Sequence, residues 1–257
     1  MGDDTNLDGG ENKKHLYNTR LSKTFWFAKR FGIRELFIKP LRVAFAPLIL
    51  KMIPRRSFLF DGKEIPLFYH RYNITWAGER AVEVPVARNF LKGLRGKKVL
   101  EVGNVLSYYY KPWWDVLDKF EKKKFLIRED ISNFKPVGKY DYIVSISTFE
   151  HIGFDDGSIG EGSREKILKG LMNIKKNCLK TGGLLMFTIP IGYNPEMDGL
   201  VFNKKMNFQK KFVKKVSKSG WAQIGEDEAR KCSYGRPFPY GNCVAFVWHK
   251  NSSPNSL

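Results

Sequence analysis

The segment KKVLEVGNVLSYYY, residues 97–110, decides how the rest of the chain is interpreted. It opens with the short apolar run Val99 to Val102, which is typical of a buried strand in a parallel sheet. Gly103 then supplies the conformational freedom that a tight turn needs. The second and third glycines of a dinucleotide-binding turn are absent, because residues 104–107 read Asn-Val-Leu-Ser. The segment predicts a core strand and a turn, and it leaves open whether that turn binds a cofactor.

Strand and helix patterns alternate from residue 97 onward. Apolar runs predict seven strands, at 99–102, 114–117, 124–127, 140–147, 184–189, 221–225 and 244–248. Basic amphipathic patterns predict helices over 163–179 and 207–219. This alternation indicates an α/β fold with a doubly wound, mostly parallel, seven-stranded sheet, whose last two strands form a closing hairpin.

The chain ahead of this region has a different composition. Pro40 and Pro47 are expected to separate short helices, and Asp61-Gly62 predicts the turn of a β-hairpin. A further helix is expected to begin near Glu79. The predicted divisions are a disordered tail at 1–22, a basic helical extension with the β-hairpin at 23–78, the main domain at 79–249 and a loose tail at 250–257.

The chain carries a formal net charge of +19, which favours an anionic partner, although a general lysine bias of composition explains the excess equally well. Residues 23–56 contain nine basic residues and one acid, Glu35. Their longest uncharged run, 43–50, is too short to cross a bilayer. Basic and aromatic residues without a span predict either contact with an anionic membrane surface or a helical layer packed on the main domain. Nucleic acid is the less favoured partner.

The cysteines are few and far apart, at Cys178, Cys232 and Cys243. They form no CxxC pair and no cysteine–histidine cluster at zinc spacing, so no metal site is expected. This usage favours a reduced, cytoplasmic setting. A peripheral position on the inner face of the membrane is the corresponding expectation if the basic segment binds lipid.

Polar residues follow the predicted strands where each strand ends. Ligands of doubly wound sheets bind at these carboxyl ends, near the point where the strand order reverses. The positions are Glu101 and Gly103 after the first strand, Asp118 after the second, Asp130 and Ile131 after the third, Ser147 to His151 after the fourth, and Gly192 to Asp198 after the fifth.

This order of endings resembles the class I S-adenosylmethionine-dependent methyltransferases over residues 97–192. Four segments look more narrowly like a bacterial and archaeal methyltransferase group associated with surface-polysaccharide synthesis: YHRYNITWAGERAVEVPVA, LEVGNVLSYY, ISTFEHIGFDD and IPIGYNPEMD. The resemblance implies a Rossmann-like fold, S-adenosylmethionine as cofactor and a sugar or glycolipid as the methyl acceptor.

The resemblance also implies a cofactor-binding set: Glu101, Gly103, Asn104, Asp118, Asp130, Ile131 and Ser147. Asp118 would bind the ribose hydroxyls, while Asp130 and the Ile131 amide would bind the adenine. A glycine-rich turn presents backbone N–H groups to a phosphate, and S-adenosylmethionine has no phosphate. The missing glycines therefore argue more strongly against a dinucleotide than against S-adenosylmethionine. The alternatives are that Asp118 is a surface acid, that Asp130 forms an Asx turn and that Glu101 only orients the turn.

His151 is the candidate general base for a hydroxyl acceptor, because the ordinary pKa of histidine suits proton transfer near neutral pH. Glu150 is expected to orient it, and a purely structural corner at Glu150-His151 is the alternative. The acceptor would be held by Tyr193 and Asn194 after the fifth strand and by Tyr72 and Trp76 ahead of the main domain. The alternative for both segments is that their residues only form turns and pack at the edge of the domain.

Two other functions remain open. A nucleic-acid methyltransferase is suggested by the charge, but the amino-methylating enzymes of that class carry Asn or Asp-Pro-Pro-aromatic after the fourth strand. Residues 147–151 read STFEH instead. A non-catalytic domain with a degenerate cofactor turn is suggested by the missing glycines, and the acids retained at the strand ends argue against it.

Overall fold

The fold is defined by a computed structural model that describes residue 28, residues 31–154 and residues 161–252. The predicted tail at 1–22 lies outside the described residues. The strands are β1 (Ser57–Phe60), β2 (Lys63–Pro66), β3 (Val99–Val102), β4 (Asp115–Leu117), β5 (Leu126–Ile127), β6 (Tyr140–Ile146), β7 (Leu179–Pro190), β8 (Gln209–Lys215), β9 (Trp221–Ile224) and β10 (Cys243–Lys250). The α-helices bounded within the described residues are α1 (Ile33–Ala44), α2 (Ala46–Met52), α3 (Arg80–Leu91), α4 (Glu161–Asn173), α5 (Pro195–Val201) and α6 (Glu226–Ala229).

Eight strands form one sheet, in the spatial order β5-β4-β3-β6-β7-β10-β8-β9. The first five run parallel, whereas β10 lies antiparallel between β7 and β8, and β9 pairs antiparallel with β8. The chain builds outward from β3 in both directions, so the switch point lies between β3 and β6. The predicted doubly wound, mostly parallel, Rossmann-like α/β fold is confirmed, with eight strands instead of seven.

Both faces of this sheet are buried, which explains why its central strands are continuously apolar. Side chains alternate along β7: Leu185 and Phe187 belong to one core, and Met186 belongs to the other. The first core is covered by α4 and α5, and the second by α3 and the β1–β2 hairpin. The hairpin and α3 thus pack on the same sheet that carries the strand ends.

The helix predicted over residues 207–219 is wrong, because its centre is strand β8. Phe208, Phe212 and Val216 recur at a spacing of four, which imitates a helical stripe. In the folded chain Phe212 is buried in one core and its neighbour Val213 in the other. Only a strand directs consecutive side chains to opposite faces, so sheet packing overrides the local pattern.

The expected closing hairpin of the last two strands is also wrong. β9 pairs with β8, while β10 crosses over and inserts between β7 and β8. Of the loose tail predicted at 250–257, Lys250 ends β10 and Asn251 is buried. The Asn251 side-chain amide donates to the carbonyl oxygens of Lys175, Leu179 and Lys180. Residues 253–257 lie outside the described part.

The region ahead of the sheet follows the predictions with one exception. Pro40 lies inside α1 without ending it, whereas Pro47 lies in the first turn of α2, where a missing N–H is tolerated. The predicted hairpin at Asp61-Gly62 is confirmed, and both turn residues have positive φ. The helix predicted near Glu79 is α3. Within the described ranges, every helix is too short or too polar to span a bilayer.

Candidate active site

A cavity of about 510 Å³ opens at the carboxyl ends of four neighbouring parallel strands, β5, β4, β3 and β6. Seven residues predicted from the sequence line it: Gly103, Asn104, Asp118, Asp130, Ile131, Ser147 and His151. Its walls combine carboxylates and hydroxyls with apolar side chains such as Leu117, Phe120 and Ile152. The cavity thus lies beside the switch point of the sheet, where doubly wound folds bind their ligands.

Glu101 lies below the cavity and holds the turn that follows β3. The backbone N–H groups of Val105 and Leu106 donate to its Oε1 at 2.9 and 2.6 Å, and the Trp114 indole N–H donates to its Oε2 at 2.8 Å. Burial raises the pKa of Glu101 to about 7, although these three donors favour the charged form. Glu101 therefore fixes the shape of the turn from beneath, and the turn continues into one short 3₁₀ segment, Leu106–Tyr108.

Gly103 is required where the turn passes the end of β6. Its φ of +85° lies in the left-handed region. A Cβ atom at this position would lie 2.1 Å from the Thr148 hydroxyl oxygen. This close approach joins the ends of β3 and β6 at the base of the cavity. Gly103, the one glycine of the usual cofactor-binding turn that is present, is therefore needed to avoid a clash with Thr148.

Asp118 follows β4 and faces the β3 turn across the cavity floor. Its Oδ1 accepts the backbone N–H groups of Phe120 and Glu121, each at 2.8 Å, and its Oδ2 accepts the Asn104 N–H at 3.1 Å. The Asn104 side-chain amide donates to Glu121 at 2.6 Å, and Ser107 donates to Asn104. Asn104 and Ser107 therefore brace the turn, and Oδ2 of Asp118 keeps acceptor capacity toward the cavity.

Asp130 follows β5 on the opposite wall. Its Oδ1 accepts the Ser132 N–H at 2.8 Å, and the Lys119 ammonium lies 2.8 Å from its Oδ2. Partial burial acts against ionisation, but hydrogen bonds and the positive charge of Lys119 hold the pKa of Asp130 below its usual value. The carboxylate is thus charged near neutral pH and fixed in an Asx turn next to Ile131.

A buried polar network lies under the end of β6. Ser147 has a φ of +39°, which is a strained conformation for a residue with a side chain. Its hydroxyl donates to Glu83 at 2.5 Å, and the Thr188 hydroxyl donates to the same Glu83 oxygen at 2.7 Å. Arg80 pairs with the other Glu83 oxygen. Glu83 of α3 thereby fixes the backbone from which the 149–151 segment departs.

Glu150 and His151 form the end of that segment. Glu150 is 1% exposed, and among the described residues neither of its carboxyl oxygens has a hydrogen-bond partner. The nearest His151 nitrogen, Nε2, lies 3.7 Å from Oε1. Burial raises the pKa of Glu150 to about 8, and the adjacent His151 partly offsets this shift. A neutral carboxyl group therefore lies beneath an imidazole that reaches the cavity.

Tyr193 and Asn194, predicted to bind the acceptor, contact the 149–154 segment. The Tyr193 ring is buried and packs against His151 at 4.8 Å and Phe154 at 5.5 Å between centroids. The Asn194 side chain accepts the Glu196 N–H at the start of α5 and donates to the Glu150 carbonyl at 2.8 Å. Neither residue lines the cavity, so the structure places both as supports of the imidazole segment.

Tyr72 and Trp76, the other residues predicted to bind the acceptor, lie in different places. Tyr72 is exposed and stacks on Tyr108, with 4.2 Å between ring centroids, above the turn after β3. Trp76 is buried and packs with Ala46 and Ile74 next to α2. Tyr72 is thus close to the rim of the turn, whereas Trp76 belongs to the core under the helical extension.

The cavity lining also includes residues to which the sequence assigned no role: Lys119, Ser132, Thr148, Lys166 and Lys169. Thr148 lies within the 147–151 segment after the fourth predicted strand, and Lys119 directly follows Asp118, so their position at strand ends was the available signal. Glu83 gave no local signal, because its partners Ser147, which follows β6, and Thr188 of β7 are far away in sequence.

No protein-family model matches the sequence, and the curated proteins contain no significant match. Among solved structures, StiE O-MT (residues 961–1257) is similar at 14% identity, with 82% of this chain and 81% of that chain covered and a TM-score of 0.41. The N-methyltransferase NodS from Bradyrhizobium japonicum, in complex with S-adenosyl-L-homocysteine, is similar at 13% identity, with coverages of 64% and 84% and a TM-score of 0.39. A TehB-like SAM-dependent methyltransferase from Corynebacterium glutamicum is similar at 20% identity, with coverages of 61% and 81% and a TM-score of 0.35. At these values the assignment of the fold rests on the strand order of the chain itself.

The donor set of the cavity fits S-adenosylmethionine. A fixed carboxylate at the end of β4 suits ribose hydroxyls, and a second one beside the apolar Ile131 suits an adenine edge. The turn after β3 is occupied by side chains that brace one another, and it offers no loop of free amides for a pyrophosphate. A cavity of about 510 Å³ lies within the range that small-molecule cofactors occupy.

Proposed function

We propose that the chain is an S-adenosylmethionine-dependent methyltransferase that methylates a hydroxyl group of a sugar or glycolipid. The observation that carries the proposal is the cavity, where Asp118, Asp130 and His151 converge from three strand ends. The choice of a sugar or glycolipid is supported by the resemblance of the four sequence segments. The choice of a hydroxyl is supported by a histidine at the cavity wall.

Asp118 is assigned to the ribose through the acceptor capacity of its Oδ2 atom. Asp130 and the Ile131 backbone are assigned to the adenine, between the apolar side chains of Ile131 and Ile152. Gly103, Asn104 and Ser147 are assigned to the amino-acid tail at the base of the cavity. Glu101 acts in this assignment through the turn that it holds.

S-adenosylmethionine, held by Asp118, Asp130 and the Ile131 backbone, would supply an electrophilic methyl group to the acceptor oxygen, with S-adenosylhomocysteine as the product that leaves. His151 takes the proton of the attacking hydroxyl, so that the charge on the acceptor oxygen is removed during the transfer. A positive charge on His151 stabilises the ionised form of Glu150, and the ionised carboxylate stabilises the charged imidazole in return. Tyr193 and Asn194 keep the imidazole segment in place.

Isothermal calorimetry with S-adenosylmethionine and S-adenosylhomocysteine tests the cofactor assignment. Asp118→Asn is the informative variant, because it keeps one side-chain oxygen for the local turn but replaces an acceptor with a donor. We expect a loss of affinity of about tenfold or more. Asp115→Asn, three residues earlier, in β4 and outside the cavity lining, is the matched control and should bind normally. Absence of binding by the wild-type protein at millimolar ligand would refute the proposal and favour a non-catalytic domain.

Transfer of a radiolabelled methyl group to a panel of sugars, glycolipids and RNA tests the reaction. His151→Gln should bind both ligands as the wild type does but lose about 100-fold or more in kcat with little change in KM. Unchanged turnover of His151→Gln would exclude His151 as the base. Label that appears in RNA alone would favour the nucleic-acid alternative, which the charge of +19 suggests.

A further inference from the structure

Helix α1 is oriented with its polar face toward the protein and its apolar face toward solvent. Glu35 is 3% exposed, pairs with Arg42 and accepts the Tyr240 hydroxyl at 3.2 Å. On the opposite side, Phe37 is 70% exposed and Leu41 is 55% exposed. A surface helix of a soluble domain has the reverse arrangement, because burial of the apolar stripe is what stabilises it. The exposed face of α1 is therefore built for contact with something other than water.

The exposed face continues into the next helix. Ile33, Phe37 and Leu41 recur every fourth residue along one side of α1. The same surface includes Phe45 between the helices and Leu48 and Met52 of α2, whereas Ala46 and Trp76 lie beneath α2. We call the exposed set the apolar stripe: Ile33, Phe37, Leu41, Phe45, Leu48 and Met52. It has the length of both helices, far beyond the scattered apolar residues of an ordinary surface.

The surroundings of the apolar stripe are basic. Arg34, Lys51, Arg55 and Arg56 are exposed next to it. Glu35 is the only acid between residues 31 and 60, and it is turned inward. We propose that the apolar stripe inserts into the interface of an anionic phospholipid bilayer, with these four basic residues on the lipid headgroups.

The charge of the protein favours a bilayer over a second copy of the chain as the surface that covers the apolar stripe. A second copy of the chain would bring two basic rims together in a protein of net charge +19, which opposes such a contact. An anionic bilayer supplies both an apolar layer and the opposite charge, and lysine and arginine residues near its surface each favour binding. The residues outside the described ranges are the remaining candidate for covering the apolar stripe, and measurements without vesicles distinguish that case from membrane binding.

The membrane contact also bears on the acceptor, a step that rests on the proposed function. Phe31, two residues ahead of α1, contacts Tyr234 with 5.7 Å between ring centroids, and Tyr234 contacts Tyr193 at 5.0 Å. Tyr193 in turn packs against His151. A bilayer on α1 would place lipid-linked hydroxyls near this side of the molecule, which favours a glycolipid over a free sugar.

Flotation of the full chain with vesicles tests the inference without any methyl transfer. We expect binding to phosphatidylcholine vesicles that contain about one third phosphatidylglycerol, and weak binding to phosphatidylcholine alone. The double variant Phe37→Ser/Leu41→Ser should lower the partition coefficient by about tenfold or more. The control Val137→Ser/Val216→Ser removes two exposed apolar side chains elsewhere and should bind as the wild type does. Arg34→Gln/Lys51→Gln should lose the preference for anionic vesicles.

Each contrary outcome has a definite meaning. No flotation, or equal flotation of the Phe37→Ser/Leu41→Ser variant, would overturn the inference. A concentration-dependent dimer that this variant abolishes, without vesicle binding, would assign the stripe to a second copy. Failure of Phe37→Cys to react with a water-soluble thiol reagent without vesicles, under conditions in which Val216→Cys reacts, would assign the stripe to another part of the chain. Cofactor affinity measured without vesicles should be unchanged in all three double variants, so failure of the membrane inference leaves the proposed function intact.

Discussion

The raised pKa of Glu150 predicts that replacing it with glutamine changes how stability depends on pH. Its folded pKa is about 8, compared with an ordinary value of 4.5, because burial disfavours the charged form. The stability that the neutral carboxyl contributes is therefore fully present below 4.5 and is lost as the pH rises toward 8. Glu150→Gln has no titrating group at this position, so its free energy of unfolding does not fall with pH for this reason.

The magnitude follows from the two pKa values. One pKa unit corresponds to about 1.4 kcal/mol, and integration between about pH 5 and pH 7 gives a loss of about 2–3 kcal/mol for the wild type. Glu101, whose pKa is also raised, titrates in both proteins and cancels from the comparison. The difference in unfolding free energy between Glu150→Gln and the wild type should thus change by about 2–3 kcal/mol in favour of the variant over this range.

Urea unfolding of both proteins at a series of pH values measures this difference. Glu165→Gln, on the exposed side of α4, is the matched control and should follow the wild type. The amide of the variant can itself be poorly satisfied, but that cost is independent of pH and shifts the whole curve. Parallel curves for Glu150→Gln and the wild type would refute the reasoning, because they would mean that Glu150 ionises in the folded protein as it does in water.

Two further predictions concern backbone geometry and thiol chemistry. Gly103→Ala should lower the free energy of unfolding by about 2–4 kcal/mol and weaken cofactor binding, because the added Cβ meets the Thr148 hydroxyl at 2.1 Å. Gly62→Ala, at a similar φ in open space, should lose clearly less stability, and equal losses of the two variants in thermal unfolding would argue against the close approach. Cys232 should react with iodoacetamide well before Cys178 and at a lower pH than an ordinary thiol. A hydrogen bond from Cys243 lowers the pKa of Cys232, while burial raises the pKa of Cys178 to about 12. Mass spectrometry of the alkylated peptides checks the order, and preferential labelling of Cys178 would contradict it.

The strand ends could be predicted from the sequence because the signal is local. The parallel strands are largely apolar runs with polar residues within a few positions of their ends, and the fold brings those endings to one edge. Asp118, Asp130 and His151 were found in this way. β8 was missed because its lysine-rich alternation competes with a helical spacing, and only its two neighbours in the sheet decide between them.

Long-range contacts could not be predicted from one sequence. Glu83 looked like an ordinary helical acid, yet it bonds Ser147 and Thr188 across 64 and 105 positions of the chain. Asn194 looked like a residue that binds the acceptor, yet its amide supports the Glu150 carbonyl. The orientation of α1 was also hidden, since an amphipathic pattern gives two faces but does not say which one the protein buries.

The position of β10 has a consequence for how the chain assembles during synthesis. β10 follows both of its neighbours, β7 and β8, in sequence. Until β10 is synthesised, β7 is an open edge of the five parallel strands. The β8–β9 hairpin then has an open edge at β8, because β10 is what joins it to β7. Open edges of this kind are templates for pairing with other chains. A nascent chain that stalls before residue 243 would expose two of them at once, so insertion of β10 is the step at which the sheet becomes protected from aggregation.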